Sequence, residues 1–117
     1  MTARRKLGDW GEEMACNFLL RRGFKIKERN YFSTVGEIDI VAEKGGDFYF
    51  IEVKTREDEQ FANDTAITPS KKRKLDKTIR HFCYHRGIGD VGIITAGLIV
   101  HAKRAEKSVK FRLAVFI

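Results

Sequence analysis

The chain has 117 residues, 43% hydrophobic and 33% charged, with one proline and ten glycines. This suits one soluble domain (1–117) with a core of its own and excludes a disulfide-dependent fold or long disordered linkers. Twenty-three Lys and Arg against 16 Asp and Glu give a net charge of +7, which points to a polyanion partner, nucleic acid before an anionic membrane.

Met1 to Trp10 is basic, but no apolar stretch of signal-peptide length follows it. No apolar run is long enough to span a membrane. Cys16 and Cys83 both fall in segments that read as helices, which suits two reduced thiols and a cytoplasmic chain. Residues 1–6 form either a flexible basic arm or a phosphate clamp, with Arg4 and Arg5 as its phosphate contacts.

Gly11 to Arg22 reads as an amphipathic helix. Met14, Ala15, Phe18 and Leu19 recur at helical spacing, and Gly23 stops it. Phe24 to Asn30 alternates apolar and charged residues, as a half-exposed strand does. Gly36 to Lys44 and Phe48 to Arg56 are two strands joined at Gly45-Gly46-Asp47, a hairpin signal. Glu57 to Ile67 is polar and aperiodic and reads as a loop. Thr68-Pro69 supplies a capping hydroxyl and then proline at the first helical position, so a helix starts there. It runs to about Arg86 with Leu75, Ile79, Phe82 and Cys83 inward, and Gly87 ends it. Val91 to Val100 and Val109 to Phe116 read as two further strands. The order α-β-β-β-α-β-β predicts one α/β domain, a mixed β-sheet flanked by helices.

A two-residue Gly45-Gly46 turn sets the hairpin register. Lys44 faces Asp47, Ala42 faces Tyr49, Ile40 faces Ile51 and Ile38 faces Val53, which makes one face wholly apolar. The other face then pairs Glu37 with Lys54 and Asp39 with Glu52. Two carboxylates directly opposite each other repel across about 5 Å. A divalent cation held by oxygen ligands would offset that repulsion. Lys54, two residues beyond Glu52, would act on a water or on charge developing at a phosphate. The competing reading is a solvated polar face in which Lys54 neutralises both acids.

Gly36-Glu37-Ile38-Asp39 followed by Phe50-Ile51-Glu52-Val53-Lys54-Thr55-Arg56 resembles the PD-(D/E)XK nuclease superfamily, with its restriction-endonuclease-like fold. Within it the chain resembles the YraN-like family. That match adds Gly8-x-x-Gly11-Glu12-x-x-Ala15, Gly23-Phe24, Arg29-Asn30 and the Lys-rich helix start near Lys71. The resemblance implies Mg²⁺ or Mn²⁺ bound by Asp39, Glu52 and the Val53 carbonyl, with Lys54 as catalytic lysine and Glu12 joining from the helix. The strand from Val91 reads Val-Gly-Ile-Ile where family members tend to carry Phe-Asp. The implied activity is hydrolysis of DNA phosphodiesters, DNA before RNA, on branched or structured forms. A homodimer is expected, since duplex-cutting enzymes with one site per chain often pair. The alternative is a non-catalytic nucleic-acid-binding or assembly module that keeps the fold.

Lys71, Lys72 and Lys74 at the second helix start, and Arg56 at the hairpin end, are candidate phosphate contacts; a solvated helix face is the plainer reading. Trp10, Phe32, Phe48, Tyr49 and Phe61 are candidates for base stacking, though most are expected in the core. Phe48 and Phe50 share the acidic face, which predicts a helix packed over them. His81 and His85 have a zinc-compatible spacing without a third ligand, which favours a histidine pair at the edge of the core.

Overall fold

A computed structural model describes residues 3–57 and 68–116, with side chains from Lys6 onward. The elements are α1 (Ala3–Arg21), β1 (Lys25–Ser33), β2 (Gly36–Lys44), β3 (Asp47–Glu57), α2 (Pro69–Arg86), β4 (Gly92–Lys103) and β5 (Ser108–Val115). Their order is the expected one. The strands form a single mixed sheet, β1-β2-β3-β4-β5, in which only β3 and β4 run parallel. Helix α2 lies in the crossover that a parallel pair requires. No helix of the described residues is long and apolar enough to cross a membrane.

Each helix covers one face. Ala15, Cys16, Phe18 and Leu19 of α1 pack on Ile40, Ala42, Ile51, Ala96, Leu98 and Val100. On the opposite face Ile79 and Phe82 of α2 pack on Tyr31, Ile38, Val41, Phe48 and Phe50. The helix expected over Phe48 and Phe50 is therefore α2. Phe50 is fully buried and meets Phe82 edge-on, 5.5 Å between ring centres. Burying such a ring contributes about 2–3 kcal/mol.

The second helix is built as its sequence dictates. The Thr68 hydroxyl accepts from the Lys71 amide at 3.2 Å, Pro69 opens the helix, and Gly87 closes it at φ 64°. The first helix is longer than expected. It begins at Ala3 rather than Gly11, so the backbone of residues 3–6 is helical and not a separate arm. The apolar spacing begins only at Met14, and Gly11 within the helix serves packing: a Cβ there would overlap the Thr55 side chain. The stretch Ala3–Leu7 has good helix propensity, which lets the helix extend.

The hairpin register holds from Lys44↔Asp47 to Ile40↔Ile51 and then stops. Ile38 does not share a face with Val53 as expected. Ile38 packs on the α2 side, whereas Val53 packs on the α1 side. On the neighbouring strand, Arg29 pairs with Ile40 and Tyr31 with Ile38, and between them Asn30 takes the left-handed φ of 54°. The alternation of β2 breaks there, so Asp39 sits where the strand switches faces. Glu37 is accordingly a ladder partner of Phe32 and not of Lys54. The 57–67 loop expectation, from residue 58 on, lies outside the described residues, as does Phe61.

The Gly11–Thr55 contact is testable by thermal and urea unfolding. Gly11→Ala gains helix propensity but presses a methyl into Thr55, and overpacking of this kind costs about 1–3 kcal/mol. The expected outcome is a less stable protein, with part of the loss recovered in Gly11→Ala/Thr55→Ala. A stabilised single variant would show that α1 does not approach β3 this closely.

Candidate metal and nucleic-acid site

Beyond Ile40↔Ile51 the strands β2 and β3 separate, and the Asp39 side chain fills the gap. The Val53 amide donates to Asp39 Oδ2 at 2.8 Å. A strand residue points its N–H and C=O toward the same edge, so the Val53 carbonyl is also directed to the β2 side, toward Asp39. Gly36, at the start of β2, lies where a Cβ would press on Thr78 Oγ1 of α2. The glycine of the Gly-Glu-Ile-Asp stretch thus lets α2 close over the end of the strand.

A cleft of about 490 Å³ opens at this point. Asp39 and Glu52 both line it, together with the turn residues 33–36 and Lys71, Lys74, Leu75 and Thr78 of α2. Burial raises the Asp39 carboxyl from 3.8 to about 6, with Glu12, Glu52 and Glu37 pushing the same way; the Val53 amide opposes them. Three further acids therefore act on Asp39, one from each of α1, β3 and β2. Glu12 reaches it from α1 while lying 3.6 Å from Arg29, which also bonds Glu13 at 2.9 Å.

The register places Lys54 on the same face as Phe50 and Glu52. Lys54 does not line the cleft itself. Arg56 follows on that face, its guanidinium donating to the Thr55 carbonyl at 3.0 Å. Of the three candidate lysines at the start of α2, Lys71 and Lys74 are exposed and line the cleft, whereas Lys72 is bound to Asp76 at 2.7 Å. The side chains of Arg4 and Arg5 lie outside the described residues. Among the described residues, no three His, Cys, Asp or Glu side chains are clustered closely enough to form a ready-made metal cage. Asp39, Glu52 and the Val53 carbonyl are oxygen donors of the kind that fits a hard cation, and burial with three neighbouring acids raises the Asp39 carboxyl despite the Val53 amide. His81 has another partner: its Nδ1 lies 2.5 Å from the Tyr31 hydroxyl, and its ring lies against His85.

Sequence reasoning gave Arg29 no partner, paired Glu37 with Lys54 and did not place Phe32 at the cleft. It also missed a basic row: the register sets Arg56 beside His101 and His101 beside Lys110. Alternation along β4 and β5 could have revealed that row only after the parallel β3–β4 register was known.

Asp39 binds its proton more tightly in the folded chain than in the unfolded one. Its stabilising contribution is thus complete below 3.8 and lost as pH rises through about 6. A carboxyl raised this far costs about 3 kcal/mol once ionised. In metal-free buffer, Asp39→Asn keeps an oxygen for the Val53 amide and removes the charge. It should be more stable than wild type by about 1–3 kcal/mol near neutral pH, and the difference should vanish below pH ~4. Asp39→Ala leaves that amide unpaired and should lose about 1–3 kcal/mol relative to Asp39→Asn. Urea unfolding across pH checks both; a pH-independent loss in Asp39→Asn would make the acid a structural anchor only.

The comparisons with known proteins agree with one another. The model of the uncharacterised protein family UPF0102 matches residues 11–113. A UPF0102 protein of Syntrophomonas wolfei is 46% identical over 74 residues, 62% of this chain and 64% of that protein. One from Helicobacter pylori strain P12 is 54% identical over 80 residues, 68% of this chain and 67% of its own length. One from Roseiflexus castenholzii is 49% identical over 78 residues, 64% of this chain and 62% of that protein. The match thus spans just under two thirds of the Syntrophomonas and Roseiflexus relatives. The family match extends through β4 and into β5, so it includes the strand whose Val-Gly-Ile-Ile start differs from expectation. With nearly its whole described length matched, this chain belongs to the uncharacterised protein family UPF0102, the YraN-like family.

Proposed function

We propose that the protein is a divalent-metal-dependent nuclease that hydrolyses DNA phosphodiesters, with branched or structured DNA as its substrate. The observation that carries this reading is the Asp39–Glu52 cleft. A half-buried carboxylate is held beside other acids, at a break in the sheet, with cationic side chains of α2 on the cleft wall.

Asp39, Glu52 and the Val53 carbonyl would hold Mg²⁺ or Mn²⁺, and Glu12 would join through a water. The bound cation would supply positive charge to a phosphodiester oxygen and acidify an attacking water. The chain's own contribution is positioning. The Val53 amide fixes the Asp39 carboxylate, and Arg29 restrains Glu12. Lys54 would orient the water or stabilise charge growing on the phosphate. Lys71 and Lys74 would bind flanking phosphates, while Lys72 is engaged with Asp76. The second reading is a nucleic-acid-binding module without turnover, which would use the same exposed lysines on the cleft wall.

Cleavage assays on linear duplex, single-stranded and four-way-junction DNA with Mg²⁺ or Mn²⁺ separate the two. Lys54→Ala should lose about 10²-fold or more in rate while metal and DNA binding remain. Wild-type protein that binds metal and DNA but cuts none of the three would favour the non-catalytic module.

Binding should weaken steeply with salt. For duplex DNA, Lys71→Ala/Lys74→Ala should reduce the log–log salt slope by about 2, whereas Lys72→Ala should barely change it. An equal effect of all three lysines would place the contact on the whole helix surface and not in the cleft.

A further inference from the structure

The β1–β2 turn forms one wall of the cleft, and Phe32 lies at its mouth. Phe32 is 80% exposed, while Phe18, Phe24, Phe48, Phe50 and Phe82 are buried. Its neighbour Tyr31 performs the packing on α2 and is almost fully buried. A phenyl ring left in water forgoes the transfer free energy that burial supplies. The turn beneath it is well fixed. Thr34 and Val35 form a two-residue turn between Ser33 and Gly36, and the Ser33 hydroxyl bonds the Gly36 carbonyl and the Val35 amide. The ring is thus carried on a rigid support beside the acids, with Lys71 and Lys74 on α2 lining the same cleft.

We propose that Phe32 stacks on an unpaired base and that Lys71 and Lys74 contact the phosphates beside it. The chain then selects nucleic acid presenting at least one unpaired nucleotide at the Asp39–Glu52 cleft. This rests on the nucleic-acid reading of that cleft. Three features support it. Every base offers a face for stacking on an aromatic ring, but in a continuous duplex both faces are already occupied. A cleft of about 490 Å³ is the size of a small-molecule site, which suits one extruded nucleotide and not a double helix. The lysines and carboxylates around the ring match a phosphate and a cation, and they oppose an apolar peptide as occupant.

The test compares a blunt duplex with the same duplex carrying a single-stranded tail, by fluorescence anisotropy without added divalent cation. A second tailed DNA carries a base analogue whose emission falls on stacking. The wild type should bind the tailed DNA ~5- to 150-fold more tightly, as one stacked base allows. Phe32→Ala should lose that preference and the quenching while binding blunt duplex as before; Phe32→Trp should retain the preference. Melting curves confirm that both variants fold. Equal wild-type binding to the two DNAs, or a tail preference that survives Phe32→Ala, overturns this inference alone. So does sedimentation showing that Phe32→Ala turns a dimer into monomers, because the ring then joins two copies. Failure of the wild type to bind either DNA overturns the nucleic-acid reading itself.

Discussion

The Val53 amide donates to the Asp39 carboxylate, and the other site residues take their positions around that bond. It replaces a backbone hydrogen bond that the separating strands can no longer make. A buried amide left unpaired would cost about 1–3 kcal/mol, so the side chain of Asp39 is part of the sheet as well as part of the cleft. The same bond directs the Val53 carbonyl toward Asp39. Two oxygen donors are thereby brought to one place by a single break in the ladder, with Glu52 on the adjoining residue of β3.

This arrangement sets stability against chemistry. Burial and neighbouring acids raise the Asp39 carboxyl to about 6, so the folded chain carries a strained charge at neutral pH. The Val53 amide offsets part of it, and Arg29 pairs with Glu12 and Glu13 of α1. A proton relieves the remaining repulsion, and a divalent cation at the proposed site would do the same. The two would compete for the same oxygens, so cation affinity would rise as Asp39 ionises. The two helices contribute different parts: α1 brings an acid to the centre, and α2 brings lysines to the wall.

Much of this was legible from the residues. The Gly45-Gly46 turn and the apolar alternation gave the register from Lys44↔Asp47 to Ile40↔Ile51, because turn type and side-chain period constrain each other. Thr68, Pro69 and Gly87 marked α2 for equally local reasons. The break at Asp39 was not legible. It lies opposite Asn30, which takes a left-handed conformation in the neighbouring strand, and no period in β2 itself signals that. The start of α1 was placed too late because the apolar spacing of Met14, Ala15, Phe18 and Leu19 marks only its packed part, whereas the helix begins at Ala3. The cleft position of Phe32 and the pairing of Arg29 with Glu12 and Glu13 arise from tertiary placement, which a linear pattern does not encode.

The central claim is that Asp39, Glu52 and the Val53 carbonyl form a divalent-cation site. Its most direct test is a crystal structure of the protein grown with Mn²⁺, with diffraction recorded where manganese scatters anomalously. The claim predicts an anomalous peak in the cleft, coordinated by a carboxylate oxygen of Asp39, one of Glu52 and the carbonyl oxygen of Val53. A cleft without that peak at saturating Mn²⁺, or manganese bound only elsewhere on the chain, would contradict it.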